Sequence, residues 1–154
     1  GVPTCTNRLL TVAQMEGELQ NAITSDLQSC INVHEYSDTI EVASSWVLEV
    51  VINRENVVLD LYYPVSITKD GATSAQDTFS EALAVPLGEL YDVSVDVVND
   101  HAVLGDFEHL LYMLSKLSRY TIVKDKPYPD VVYQMQLRDD PYVFQFAIQG
   151  EEQA

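Results

Sequence analysis

The side chains best able to do chemistry in this chain are three histidines, His34, His101 and His109, two cysteines, Cys5 and Cys30, and an abundance of carboxylates. Asp106 and His109 stand one helical turn apart and could share a metal ion or a proton. An aspartate at a helix start, however, is ordinarily a cap. His101 falls on the apolar side of a helix end, where a core or capping role is the simpler reading. Asp92, Asp96 and Asp100 recur every four residues with no lysine or arginine between them. That stripe is a candidate surface for cations or a basic partner, although carboxylates fanned along a helix converge poorly on one ion. Each like-charge pair along it costs a few tenths of a kcal/mol.

No Gly-x-Ser-x-Gly elbow, His-Glu-x-x-His pair, phosphate loop or dinucleotide-binding turn occurs, so no catalytic residue, metal ligand or cofactor is assigned. Two cysteines are too few for a sulfur-ligated zinc site. Cys5 and Cys30 form a candidate disulfide, geometrically feasible if the helix that carries Cys30 begins late enough. Tyr128, Tyr133 and Tyr142 form a candidate contact surface, with the latter two read as half-buried strand residues.

Eight basic residues against 24 acidic ones leave a net charge of −16 over 154 residues. Such a chain repels nucleic acid and anionic lipid and favours cations or basic protein surfaces. No apolar run reaches the roughly 20 residues of a membrane span.

The elements that would position these groups follow from periodicity. Met15, Leu19, Ile23, Leu27 and Cys30 recur at helical steps after a Thr11–Gln14 capping box. Residues 46–67 read as a hairpin about Asn53–Asn56. Its register pairs Ile52 with Val57, Val50 with Leu59, Leu48 with Leu61 and Trp46 with Tyr63, and sets Glu49 against Asp60 on the other face. Thr39–Val42 is short enough to be either an edge strand or a loop. From residue 74 to 102, Phe79, Leu83, Leu87, Leu90 and Val97 segregate from Asp77, Glu81, Glu89 and Asp92, which predicts a long helix kinked or divided at Pro86. A third helix is expected to turn Phe107, Leu110, Leu111, Leu114 and Leu117 toward the core. Tyr120–Val123 reads as a strand, and a second hairpin pairs Met135 with Phe144 and Tyr133 with Phe146.

The expected architecture is α+β: an antiparallel sheet built from two hairpins, with three or four helices packed on one face. Residues 1–10 are read as an extended arm or linker, 11–150 as one domain and 151–154 as a tail.

The helix MEGELQNAITSDLQSC, the hairpin strand VVLDLYYPVSI, the segment DFEHLLYMLSK and the closing PYVFQFAIQG together resemble the extracytoplasmic part of uncharacterised, membrane-anchored proteins from small-genome archaea. The resemblance spans nearly the whole chain and is one of pattern rather than motif. It implies an extracytoplasmic, cell-surface location, with the membrane reached only through an anchor absent from this chain, and it transfers no site residues. The acidity and the scarcity of lysine suit a salt-adapted, halophilic source. The leading expectation is a non-enzymatic surface or interaction module whose partner is another surface protein or a further copy of itself. The alternative is an extracytoplasmic hydrolase or metal-dependent enzyme with a site assembled from remote residues.

Overall fold

The structure, a computed structural model, describes residues 9–31 and 40–150. It is α+β, with three helices and two antiparallel sheets of four and three strands. Its residues group into two compact units, Leu10–Ala84 and Val85 onward.

The first unit opens with α1 (Val12–Cys30), started by the anticipated capping box: Thr11 Oγ1 accepts the Gln14 N–H, and Gln14 Oε1 accepts the Thr11 N–H at 2.8 Å. Its sheet has β3 (Val57–Lys69) at the centre. β1 (Ile40–Val42) and β2 (Val47–Ile52) pair along one side of β3, and β4 (Ala72–Leu83) along the other. The β2–β3 register is the one the apolar pattern dictates: Ile52 faces Val57, Val50 faces Leu59, Leu48 faces Leu61, and Glu49 faces Asp60. Leu48, Val50, Ile52 and Val57 are buried, and α1 packs against β2. Trp46 lies just outside the ladder. Thr39 is outside the described residues, but Ile40–Val42 forms the edge strand. The ladder between β3 and β4 slips by one residue between Tyr62 and Val65. Pro64, which has no N–H to give, sits in that irregularity, and its carbonyl accepts the Ala43 N–H at 3.0 Å.

Two expectations are corrected here. Residues 72–83 are strand, not helix. Asp70 and Gly71 both have positive φ, 51° and 81°, and lie between the facing residues Lys69 and Ala72. Asp-Gly with both residues left-handed makes a two-residue hairpin turn, so the chain reverses into a further strand instead of entering a helix. Every residue of β4 is exposed, so it carries no inside-outside alternation that would have marked it as a strand. The second correction is that the two predicted hairpins do not share one sheet: β2–β3 belongs to the four-stranded sheet and β6–β7 to the three-stranded one. Each hairpin has its own core to cover.

Near the start of the second unit Pro86 caps α2 (Leu87–Leu104), its carbonyl accepting the Leu90 N–H at 3.0 Å. A proline suits a helix start because its missing N–H would have no partner there. Gly105, at φ 78°, ends α2 by donating its N–H to the His101 carbonyl. The short α3 (His109–Ser115) follows, then β5 (Tyr120–Asp125), β6 (Val131–Leu137) and β7 (Val143–Ile148) in the order β5-β6-β7. Met135 faces Phe144 and Tyr133 faces Phe146, as the alternation requires. One continuous core unites Leu90, Val93 and Val97 of α2, Phe107, Tyr120 and Ile122 of β5, and Tyr133 and Met135 of β6.

The predicted inward stripe of α3 is also corrected. Phe107 is buried, but Leu110, Leu111, Leu114 and Leu117 are exposed. Tyr112 and Met113 make the inward contacts instead. A seven-residue helix has only about two turns, and Tyr112 fixes their rotation by packing its ring 5.3 Å from Phe107 and donating its hydroxyl to Asp96 at 2.8 Å.

Candidate functional site

The polar groups of the second unit gather at two places. At the first, Glu89 of α2 is 1% exposed, and donors from Arg119 and Tyr120 meet its carboxylate. Arg119 reaches it with Nε and Nη2, both at 2.8 Å, and the Tyr120 hydroxyl donates at 2.7 Å. A fork of two guanidinium hydrogens on one carboxylate is the geometry that makes a buried charge tolerable.

At the second place, Lys124 of β5 is 8% exposed at its side chain and reaches the connection between α2 and α3. It donates to Asp106 and, at 3.1 Å, to the Phe107 carbonyl, while its ammonium lies 5.9 Å from the Tyr133 ring centroid. Lys126 reaches the other Asp106 oxygen at 3.3 Å. The Lys124 hydrogen bond, supported by the Phe107 N–H and Lys126, holds the Asp106 carboxyl well below the usual carboxylate range. His101 in the last turn of α2 sets its Nδ1 3.4 Å from the Tyr133 hydroxyl, with the rings edge to face. Burial lowers the His101 pKa, and the two lysines reinforce that against Asp106. Burial raises the Tyr133 hydroxyl to about 12. The arrangement therefore holds a neutral imidazole, a neutral phenol, an ammonium and a carboxylate in contact, a set that could relay a proton.

The groups singled out by sequence are distributed differently. Asp92, Asp96 and Asp100 are exposed along α2. Asp96 is tied to Tyr112, and that bond together with burial pushes the Tyr112 hydroxyl above its ordinary range. Asp106 turns to the lysines and not to His109, and it does not cap α3, whose N-cap is Glu108. Cys30 is exposed. Cys5 lies outside the described residues, and so do the disulfide expected of it and His34. Of the three tyrosines, Tyr133 is wholly buried while Tyr128 and Tyr142 are exposed. Among the described residues no three His, Cys, Asp or Glu side chains converge as a metal site would require.

Three functional-looking groups escaped sequence reasoning: Glu89, Lys124 and Glu16. The periodicity of residues 74–102 places Glu89 on the polar face of a helix that would include β4. With α2 starting at Leu87, it belongs to the first turn, one residue from Leu90 of the core. Glu16 turns toward the sheet, where its Oε1 accepts the Ile52 N–H at 2.9 Å.

That last bond bears on the surface of the first unit. The β2 edge of its sheet is covered by α1, with Glu16 taking a strand-edge N–H. The β4 edge pairs with no other strand among the described residues, and β4 is exposed over its full 12 residues. Two open hollows flank this sheet. One, of about 270 Å³, is lined by Glu41, Val42, Pro64, Ser66, Ala75 and Asp77. The other, of about 260 Å³, is lined by Val47, Glu49, Asp60, Tyr62, Thr78 and Phe79. Both carry carboxylates and apolar side chains, and neither is lined by a residue of the His101–Tyr133 cluster. No helix among the described residues is long and apolar enough to cross a membrane.

No family model, curated protein or solved structure matches the chain.

Proposed function

We propose that this protein is a non-enzymatic interaction module displayed outside the cell, and that it receives an extended, basic segment of another surface protein along β4. The observation that carries this reading is the contrast between the two edges of the four-stranded sheet. One edge is covered by a helix and bonded by Glu16, while the other presents 12 exposed residues. Exposed edges are normally protected by lysine, proline or a bulge. β4 has no lysine or proline, the irregularity and Pro64 both belong to β3, and its own charges are the carboxylates Asp77 and Glu81, which a basic strand would pair. An incoming strand would gain main-chain hydrogen bonds from such an edge, and side-chain recognition from alternate positions. Asp77 and Glu81, two residues before and two after Phe79, supply charge and apolar contact for lysine or arginine alternating with small apolar residues. Location outside the cell rests on the resemblance to archaeal surface proteins and on the acidity.

The test is titration with an extended peptide of alternating lysine and valine, followed by backbone amide shifts. Shifts concentrated on Ala72–Leu83 and abolished by the pair Gln76→Lys and Ser80→Lys are expected. Shifts elsewhere, or none, overturn the reading. Location is checked by protease treatment of intact source cells, where protection of the protein would contradict surface display.

The His101–Tyr133–Lys124–Asp106 cluster favours a second reading, an enzyme that moves a proton at His101. Strand docking has the more direct observation behind it, a 12-residue exposed edge strand. Loss of a measured hydrolytic activity in His101→Gln, with the fold retained, would favour the enzyme.

A further inference from the structure

We propose, resting on the strand-docking reading, that the hollow between Glu49 and Thr78 is an arginine pocket, filled by one arginine of the extended segment that pairs with β4. The register places the walls. Glu49 faces Asp60 and Asp60 faces Ser80, so these three form one row across β2, β3 and β4. Val47, Tyr62 and Thr78 form the neighbouring row. By the two-residue period of a strand all six side chains lie on one face of the sheet, opposite the face that carries buried Leu48 and Val50. All but Ser80 line the hollow of about 260 Å³.

Two carboxylates on an open sheet are not a site in themselves. Their place assigns the occupant. Asp60 sits one strand in from the edge of β4, which no other strand covers among the described residues, and the lining of the hollow includes no lysine or arginine to balance Asp60 and Glu49. A directly opposed pair of like charges is unfavourable until a cation enters. Phe79 and Glu81 face Leu61 and Leu59, so Asp77, Phe79 and Glu81 mark the other face of the sheet. Lysines drawn to Asp77 and Glu81 therefore leave the alternate positions of the incoming strand over Thr78 and Ser80. The position across from Ser80 stands about 10 Å from the Asp60 backbone, two strand spacings away. Ser80 is the small residue between them, and an arginine stem laid over it carries the charged head to the carboxylate. Arginine suits the hollow better than lysine, because its planar fork serves two carboxylates at once and stacks on the ring of Tyr62, which is 51% exposed. The segment so defined alternates lysine with small apolar residues and breaks that alternation once with arginine, which fixes its register on β4.

The experiment titrates the whole chain in about 0.15 M salt with three peptides, followed by backbone amide shifts. The first alternates lysine and valine, and the second has its central valine replaced by arginine. The third is a charge control that carries the arginine after its terminal valine, in phase with the lysines. Shifts on Ala72–Leu83 with all three report strand docking. The central arginine should tighten binding roughly tenfold over the charge control. Glu49→Gln together with Asp60→Asn should erase that difference with the circular dichroism spectrum unchanged, since both side chains are exposed. Equal binding of the arginine peptide and its control overturns the pocket and leaves strand docking standing, as does an advantage that survives the double substitution. Absence of shifts on β4 with every peptide overturns strand docking, and the pocket with it.

Discussion

The buried Glu89 carboxylate makes the sharpest energetic demand in the second unit, and Arg119→Met tests it. The substitution keeps most of the side chain's packing length and deletes the two guanidinium hydrogen bonds to a carboxylate at 1% exposure, while the bond from the Tyr120 hydroxyl is kept. Removing one partner of a buried ion pair costs about 3–5 kcal/mol. Arg119 is 54% exposed at its side chain, so water can follow into the space it leaves, and the expected loss falls to about 2–3 kcal/mol. Glu89→Gln keeps an acceptor for Tyr120 and should cost less, about 1–2 kcal/mol. In the double variant Glu89→Met with Arg119→Met the charge and its partner leave together. The loss should then fall short of the sum of the single changes by about 2 kcal/mol, because an apolar pair has no carboxylate to strand.

Urea unfolding followed by the methyl resonances of Met135 and Val97 reads this directly, since both side chains lie in the core that Glu89 borders. For a domain of this size, about 2–3 kcal/mol corresponds to a fall of roughly 10–20 °C in Tm. The exposed Asp100→Asn serves as control and should change little. If Arg119→Met and Glu89→Gln both stay within about 0.5 kcal/mol of the parent, the carboxylate is not buried and paired as described, and the reasoning fails.

Acid should weaken the second unit in two windows. His101 has a lowered pKa in the fold, so the unfolded chain binds the extra proton first, and stability declines as pH falls below about 6.5. Asp106 is likewise depressed, so its contribution is present above about pH 4 and is lost on further acidification. His101→Gln should flatten the first limb and Asp106→Asn the second in urea midpoints measured against pH; an unchanged profile in both would refute the assignments. In the first unit, Leu48→Ala at 3% exposure should cost about 2–5 kcal/mol and half-buried Leu59→Ala distinctly less, and equal losses by Trp46 fluorescence would contradict the burial. Sodium chloride should raise the unfolding midpoint by screening Glu49 against Asp60 and the Asp92–Asp96–Asp100 stripe. Calcium at matched ionic strength should add little, and a large calcium-specific rise would reveal a binding site among those carboxylates.

What could be read from the sequence depended on whether an element had an inside and an outside. β2, β3, β6 and β7 each bury one face, so the period of two specified their register to the residue, including the unfavourable Glu49–Asp60 opposition. α1 disclosed its start through a capping box and its inward stripe through helical spacing. β4 is wet on both faces, so its composition is unconstrained by packing, and joining it to α2 produced a spurious helical segregation across residues 74–102. The local cue was Asp70-Gly71, a turn pair that reverses a chain between strands and fits poorly as a mere strand end.

The same cause hid the polar cluster. Once a helix is extended backward by a dozen residues, its apolar direction is averaged over positions that never share a core, and Glu89 lands on the wrong side. Restricting the helix to residues after Pro86 leaves Leu90, Val93 and Val97 to define the face. Glu89 then lies one step from Leu90, near enough to be covered and in need of a cation. Arg119 and Tyr120 stand at the start of β5, one just before it and one opening it, some thirty residues later, and only the sheet order, with β5 against α3 and beside β6, brings them back to α2. Lys124 is subject to the same limit: an alternating strand of mixed residues does not reveal which polar side chain points inward until the connection through Gly105 has placed Asp106 above it. The leucines of α3 fail in the opposite direction. Apolar spacing there reads as a buried stripe, yet spacing fixes only that Leu110, Leu111 and Leu114 share a side, which in a two-turn helix anchored by Tyr112 faces away from its own core, and Leu117 lies past the helix end at φ 53°.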